Sequence, residues 1–151
     1  MMKASTANRP IVILMIEDNP TDVLITREGL LRAKMLNTLH VADDGVEAMD
    51  FLNQRGKYSG APRPDLILLD LNMPRMNGQE VLAEIKSDDN LKTIPVVVLT
   101  TSKSDEDVLK AYGHHANCYI VKPVDFDAFT KVVRTIQDFW FCLVTLPPGA
   151  K

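Results

Sequence analysis

Three carboxylates each stand at the end of a short apolar run: Glu17 and Asp18 follow IVILMI, and Asp70 follows LILL. If those runs are strands of one sheet, the three acids hang from the same edge despite the long chain between them. Like charges gathered there repel. A hard divalent cation is the simplest relief, and Mg²⁺ suits a site made of a few carboxylates, one carbonyl and several waters. A carboxylate can also act as a nucleophile toward phosphorus, giving an aspartyl phosphate. Thr100 ends the run VVVLT and Lys122 follows CYIV, which brings a hydroxyl and an ammonium to the same edge. Lys122 and the cation would neutralise phosphoryl oxygens, while the Thr100 hydroxyl would donate to one of them. Taken singly, an acid after a strand is an ordinary turn residue or helix cap, and Thr100 and Lys122 are an ordinary strand-end hydroxyl and a solvated charge. It is their combination that points to chemistry.

The elements that must position these groups are legible as apolar runs alternating with longer amphipathic stretches. The expected strands are Ile11 to Ile16, Thr38 to Ala42, Asp65 to Leu69, Val96 to Thr100 and Cys118 to Val121. IVILMI, LILL and VVVL are apolar without alternation, as expected of parallel strands covered by helices on both faces. Strands alternating with helices on this scale predict a doubly wound, flavodoxin-like α/β fold with a five-stranded parallel sheet in the order 2-1-3-4-5. Ligands of such sheets bind where the strand order reverses, at the carboxyl ends of strands one and three. Those are the ends that carry Glu17, Asp18 and Asp70.

Helix boundaries carry signals of their own. Asn19 before Pro20 reads as an N-cap followed by the first helical residue, with Leu24 and Leu31 expected on the buried side. Gly78 opens a helix running through Val81, Leu82 and Ile85, and Ser104 with Asp107 has the spacing of a capping box. From Asn53 to Pro64 the chain turns polar and rich in Gly and Pro, which predicts an extended surface loop.

Composition narrows the function classes. The 151 residues suit one domain, here divided into an N-terminal segment 1–10, a domain 11–140 and an apolar tail 141–151. A net charge of -3, with Lys and Arg scattered, gives no electrostatic footprint for direct nucleic-acid binding. Cys118 and Cys142 lie beside apolar residues, which suggests buried thiols in a reducing compartment. With neither an export signal nor a membrane-length apolar run, the expectation is a cytoplasmic protein.

Along most of its length, from about Ile11 to Phe139, the chain resembles the receiver domains of bacterial response regulators. The matching landmarks are Glu17-Asp18, Asp70 within LILLDLNMP, Gly78, Thr100 within VVVLTTS, and Lys122-Pro123. The resemblance implies that Asp70 accepts a phosphoryl group from a histidine kinase. It implies that Glu17, Asp18, Asp70 and the Asn72 backbone carbonyl bind Mg²⁺, and that Thr100 and Lys122 read the phosphoryl group. Tyr119 occupies the position of the family's switch aromatic, which moves inward as Thr100 turns toward phosphate. The chain departs from the common pattern at His114-His115, where many relatives have a small residue and Gly.

In the last helix and tail, Phe139, Trp140, Phe141, Leu143, Val144 and Leu146 supply more apolar surface than a terminal helix normally leaves to water. Either this surface folds back on the core or it forms a homodimer seam. The tail FWFCLVTLPP, the loop before strand three and TTSKSDEDV resemble the single-domain regulators that partner phytochrome-type histidine kinases in cyanobacteria. Output would then be protein binding. The rival reading is a constitutive binding module with vestigial phosphorylation, against which the intact set of five side chains argues. An Asp-nucleophile phosphatase would want an acid where Asn72 stands, and no G-x-G-x-x-G or P-loop pattern occurs.

Overall fold

The computed structural model describes residues 10–32, 34, 36–71, 76–100, 118–121, 127, 131 and 134, with the backbone alone for 100 and 118–121. The strands are β1 (Ile11–Ile16), β2 (Asn37–Ala42), β3 (Leu66–Asp70), β4 (Val96–Thr100) and β5 (Cys118–Val121). They form one sheet in the order β2-β1-β3-β4-β5, with every adjacent pair parallel. This is the expected doubly wound arrangement, and β1 and β3 are neighbours in it.

The sheet is apolar on both faces because both are covered. Leu14, Ile16, Ile67, Leu69, Val96 and Val98 share one core with the helices α2 (Gly45–Leu52) and α3 (Gly78–Ser87). Ile13, Met15, Leu66, Leu68, Val97 and Leu99 point into the other, with Leu30 of α1 (Pro20–Arg32). Residues that alternate in sequence therefore alternate between cores, and no polar stripe is needed on β1, β3 or β4.

Each of these three helices is started by a side chain. Asn19 Oδ1 accepts the Thr21 amide at 2.9 Å, as its position before Pro20 predicted. Asp44 Oδ1 accepts the Glu47 amide at 2.8 Å at the start of α2. Asn77 and Glu80 make a reciprocal capping box on α3, with the Glu80 amide donating to Asn77 Oδ1 at 3.0 Å. Val81, Leu82 and Ile85 of α3 are buried, as expected.

Besides starting β2 one residue early, at Asn37 rather than Thr38, the structure corrects two sequence expectations. Leu24 and Leu31 are exposed, at 67% and 71%, and the buried line of α1 runs instead through Thr26, Gly29 and Leu30. Leu31 lies one residue, about 100° of helix rotation, beyond Leu30, so a heptad pair of leucines identified a face but not the inward one. Small and hydroxyl residues hold that line because the Thr26 hydroxyl donates to the Asp22 carbonyl at 2.9 Å and needs no other partner when buried. Second, β3 starts and ends one residue later than expected. Asp70 is its last residue, and Asp65 lies outside it, where its Oδ2 accepts the Val12 amide at 2.8 Å.

Residues 53–64 lie mostly at the surface, as expected of a loop, and local contacts pin them. They contain a 3-10 turn, Gly56–Tyr58, entered through positive φ at Gln54 and Gly56. The Tyr58 ring meets Phe51 edge-on at 5.3 Å, and its hydroxyl donates to Glu47. Arg63 reaches across to the Asn90 carbonyl at 2.6 Å and the Thr93 hydroxyl at 3.0 Å.

Candidate functional site

Adjacency of β1 and β3 brings the acids together. Ile16 pairs with Leu69, so the residues that follow each of them, Glu17 and Asp70, stand at the same level at the sheet's carboxyl edge. The Glu17 amide extends the ladder to the Ala42 carbonyl at 3.0 Å, which holds the first residue after β1 in line with the strand. The Asn19 amide donates to Glu17 Oε2 at 3.3 Å. One carboxylate oxygen from each of Glu17, Asp18 and Asp70 lies within 4.8 Å of the other two. Glu17 and Asp70 are 1% and 4% exposed, whereas Asp18 is open to solvent.

Two buried carboxylates and one open one are a hard, oxygen-only donor set with one side facing water. Two unit charges 4 Å apart repel by about 4 kcal/mol at an effective dielectric of 20, so the cluster gains from a cation of higher charge. The donor number suits Mg²⁺ or Mn²⁺, which keep several waters, better than Ca²⁺ with its six to eight oxygen ligands. The residues present therefore fit a divalent cation.

Beside the acids opens a cleft of about 360 Å³ between α1 and β2, lined by Glu17, Asp18, Val23, Leu24, Arg27 and Asp43. Sequence reasoning missed Arg27 and Asp43. The rule that selected the other acids would have found Asp43, which also follows a strand end, that of β2.

A match to the family model for the response regulator receiver domain spans residues 13–134. This chain belongs to the response regulator receiver family. Response regulator Rcp1 of Synechocystis sp. is 48% identical over 141 residues, covering 93% of this chain and 96% of the relative. Among solved structures, the phosphorylated cyanobacterial phytochrome response regulator RcpA superposes with a TM-score of 0.78 at 45% identity, covering 92% of this chain and 99% of that one. The Mn²⁺-bound form of Rcp1 gives 0.77 at 48% identity, covering 91% and 99%. The bacteriophytochrome response regulator RtBRR gives 0.78 at 40%, covering 94% and 87%.

On this receiver fold the remaining expected residues fall as follows. Asp70 pairs with Leu99, so the Thr100 backbone lies one step beyond it on the next strand, level with Val121 of β5. The Tyr119 backbone lies in β5 opposite Val98. The Thr100 and Tyr119 side chains, Asn72, Lys122 and the tail residues Phe139, Trp140, Phe141, Leu143, Val144 and Leu146 lie outside the described residues, as do Ser104 and Asp107. Among the described residues, no helix is long and apolar enough to cross a membrane.

Two glycines stand against the backbone of Asp70 and Leu71 and of Met76. A β-carbon at Gly78 would collide with the Asp70 carbonyl oxygen and Leu71 Cα, and would lie 3.0 Å from the Asp70 carbonyl carbon. At Gly45 it would collide with the Met76 carbonyl oxygen and stand 2.7 Å from Val81 Cγ2. The first turns of α2 and α3 thus approach the backbone after β3 more closely than any other residue type permits.

Proposed function

We propose that this receiver domain is a phosphoacceptor of a two-component phosphorelay, that it takes its phosphoryl group on Asp70 from a histidine kinase of the phytochrome type, and that its output is protein binding. The convergence of Glu17, Asp18 and Asp70 at the carboxyl ends of β1 and β3 carries the reading. The likeness to RcpA, described as a phytochrome response regulator, supports the choice of donor.

An Asp70 carboxylate oxygen attacks phosphorus as the bond from phosphorus to the donor's histidine nitrogen breaks. The bonding electron pair returns to the imidazole, and an aspartyl phosphate remains. Burial of Asp70 beside Glu17 keeps its carboxylate oriented toward the open side, where the donor arrives. Glu17, Asp18, Asp70 and the Asn72 carbonyl would hold Mg²⁺, which when bound supplies positive charge to the phosphoryl oxygens. Lys122 pairs with one of those oxygens and the Thr100 hydroxyl donates to another. That contact biases the packing of Tyr119, and with it the surface partners read. The chain turns over no substrate beyond its own phosphoryl group. We place it in the cytoplasm, with residues 11–140 as the receiver and a homodimer seam from Phe139 through Leu146.

Incubation with a small acyl phosphate and Mg²⁺, followed by intact mass measurement, tests the proposal. Wild type gains one phosphoryl group and Asp70→Asn gains none. An unmodified wild type, or an equally modified Asp70→Asn, refutes it; the former would leave a constitutive binding module.

A further inference from the structure

Gly78 sits at the first position of α3, where Ala would be the better helix former, so its presence is not explained by the helix it begins. The explanation lies across the gap. A side chain there would strike the backbone of Asp70 and Leu71, and backbone cannot rotate aside as the end of a flexible side chain can. Gly78 is buried, and its amide donates to the Leu71 carbonyl at 3.1 Å. The first turn of α3 is held in place by the capping box of Asn77 and Glu80. The helix start therefore lies against the backbone of Asp70, whose carboxylate meets Glu17 and Asp18, and of Leu71 after it.

We infer that Gly78 is a positioning residue for Asp70: the missing side chain lets α3 close on the Asp70 backbone and set its carboxylate in register with Glu17 and Asp18. The inference rests on the proposed cation and phosphoacceptor site. Contact with Asp70 runs through main chain, so a methyl group at 78 must move either the start of α3 or the end of β3. A displacement of under an ångström at the Asp70 Cα is enough to spoil a site that needs oxygens from three residues at one point.

The test compares Gly78→Ala with Val81→Ala, a truncation of a fully buried core side chain one turn later in α3. Titration calorimetry with MnCl₂ and with MgCl₂ is run well below each variant's melting temperature, and the rate of acyl-phosphate labelling is measured at saturating cation. Gly78→Ala is expected to weaken cation binding at least ten-fold and to slow labelling at saturation. Val81→Ala is expected to stay within two-fold on both while melting earlier. Equal effects from the two variants, or a folded Gly78→Ala with native affinity, overturn the inference. Should Gly78→Ala not fold, the double variant Asn77→Ala, Glu80→Ala frees the same turn. A three- to ten-fold loss of affinity there supports the inference, and native affinity overturns it. A wild type that neither binds the cations nor becomes labelled refutes the proposed function, whereas wild-type binding and labelling with Gly78→Ala matching Val81→Ala refutes the role of Gly78 and nothing more.

Discussion

Glu17 and Asp70 are both almost fully buried, and a carboxylate oxygen of one lies within 4.8 Å of a carboxylate oxygen of the other. Two acids from separate strands are held in this way because β1 and β3 are adjacent and in register at their carboxyl ends. Like charges held this close repel, so the pair gains from a cation bound between them.

Relief of that repulsion is measurable as stability. Asp70→Asn keeps the shape and removes one of three like charges, and it is expected to raise the stability of the EDTA-treated protein by roughly 1–2 kcal/mol. That is less than the bare Coulomb figure, because Asp18 is open to water and salt. Mg²⁺ at ten times its Kd should add about 1.4 kcal/mol to wild type and much less to the variant. Urea unfolding with and without Mg²⁺ checks both. An Asp70→Asn protein less stable than wild type in EDTA would contradict the repulsion argument.

The Tyr58 hydroxyl bound to Glu47 predicts two pH limbs. The hydrogen bond from Tyr58 holds the Glu47 carboxyl below its ordinary 4.5, with Lys57 at 3.4 Å adding to the effect. A depressed carboxylate contributes stability that is complete above the unfolded value and lost as pH falls through the folded one, so this part of the loss lies below about pH 4.5. Burial, and then the bond to Glu47, push the Tyr58 phenol up to about 12. A raised phenol contributes stability that is complete below 10.0 and is lost as pH rises toward 12. Tyr58→Phe should cost about 1 kcal/mol at neutral pH and flatten both limbs. Stability curves that keep the wild-type shape after the substitution would show the contact to be energetically silent.

The phase of α1 makes a sharp contrast between neighbours. Leu30 is 1% exposed and Leu31 is 71% exposed. Leu30→Ala is expected to cost about 2–4 kcal/mol through lost burial and the cavity left behind, and Leu31→Ala at most about 0.5 kcal/mol. Chemical denaturation of the two single variants decides it, and comparable losses would mean that α1 is rotated from the orientation described.

Much of the fold was legible in the chain. Three of the five strands have the expected ends, and the other two differ by a residue at one end or by one register step. Runs such as IVILMI admit few readings once both faces are buried, and Asn19-Pro20 marks a helix start by local hydrogen bonding. Where inference failed, the deciding contact was not local. Leu24 and Leu31 look inward by hydropathy, yet the sheet meets the face bearing Thr26 and Leu30. The segment 53–64 reads as a surface loop by composition and is one, but the contacts of Tyr58 with Glu47 and Phe51 that pin it were not legible.

The site divides along the same line. That Glu17, Asp18 and Asp70 stand at strand ends is a property of the sequence, since apolar runs and the acids that close them are written in residue order. That the acids meet is a property of the tertiary structure. Strand order is set by which strands pair across tens of residues, and only the seating of β3 beside β1 converts three separate chain positions into one cluster of charge. The same holds for Gly78, a punctuation mark in the sequence whose significance comes from the Asp70 backbone lying where its side chain would have been.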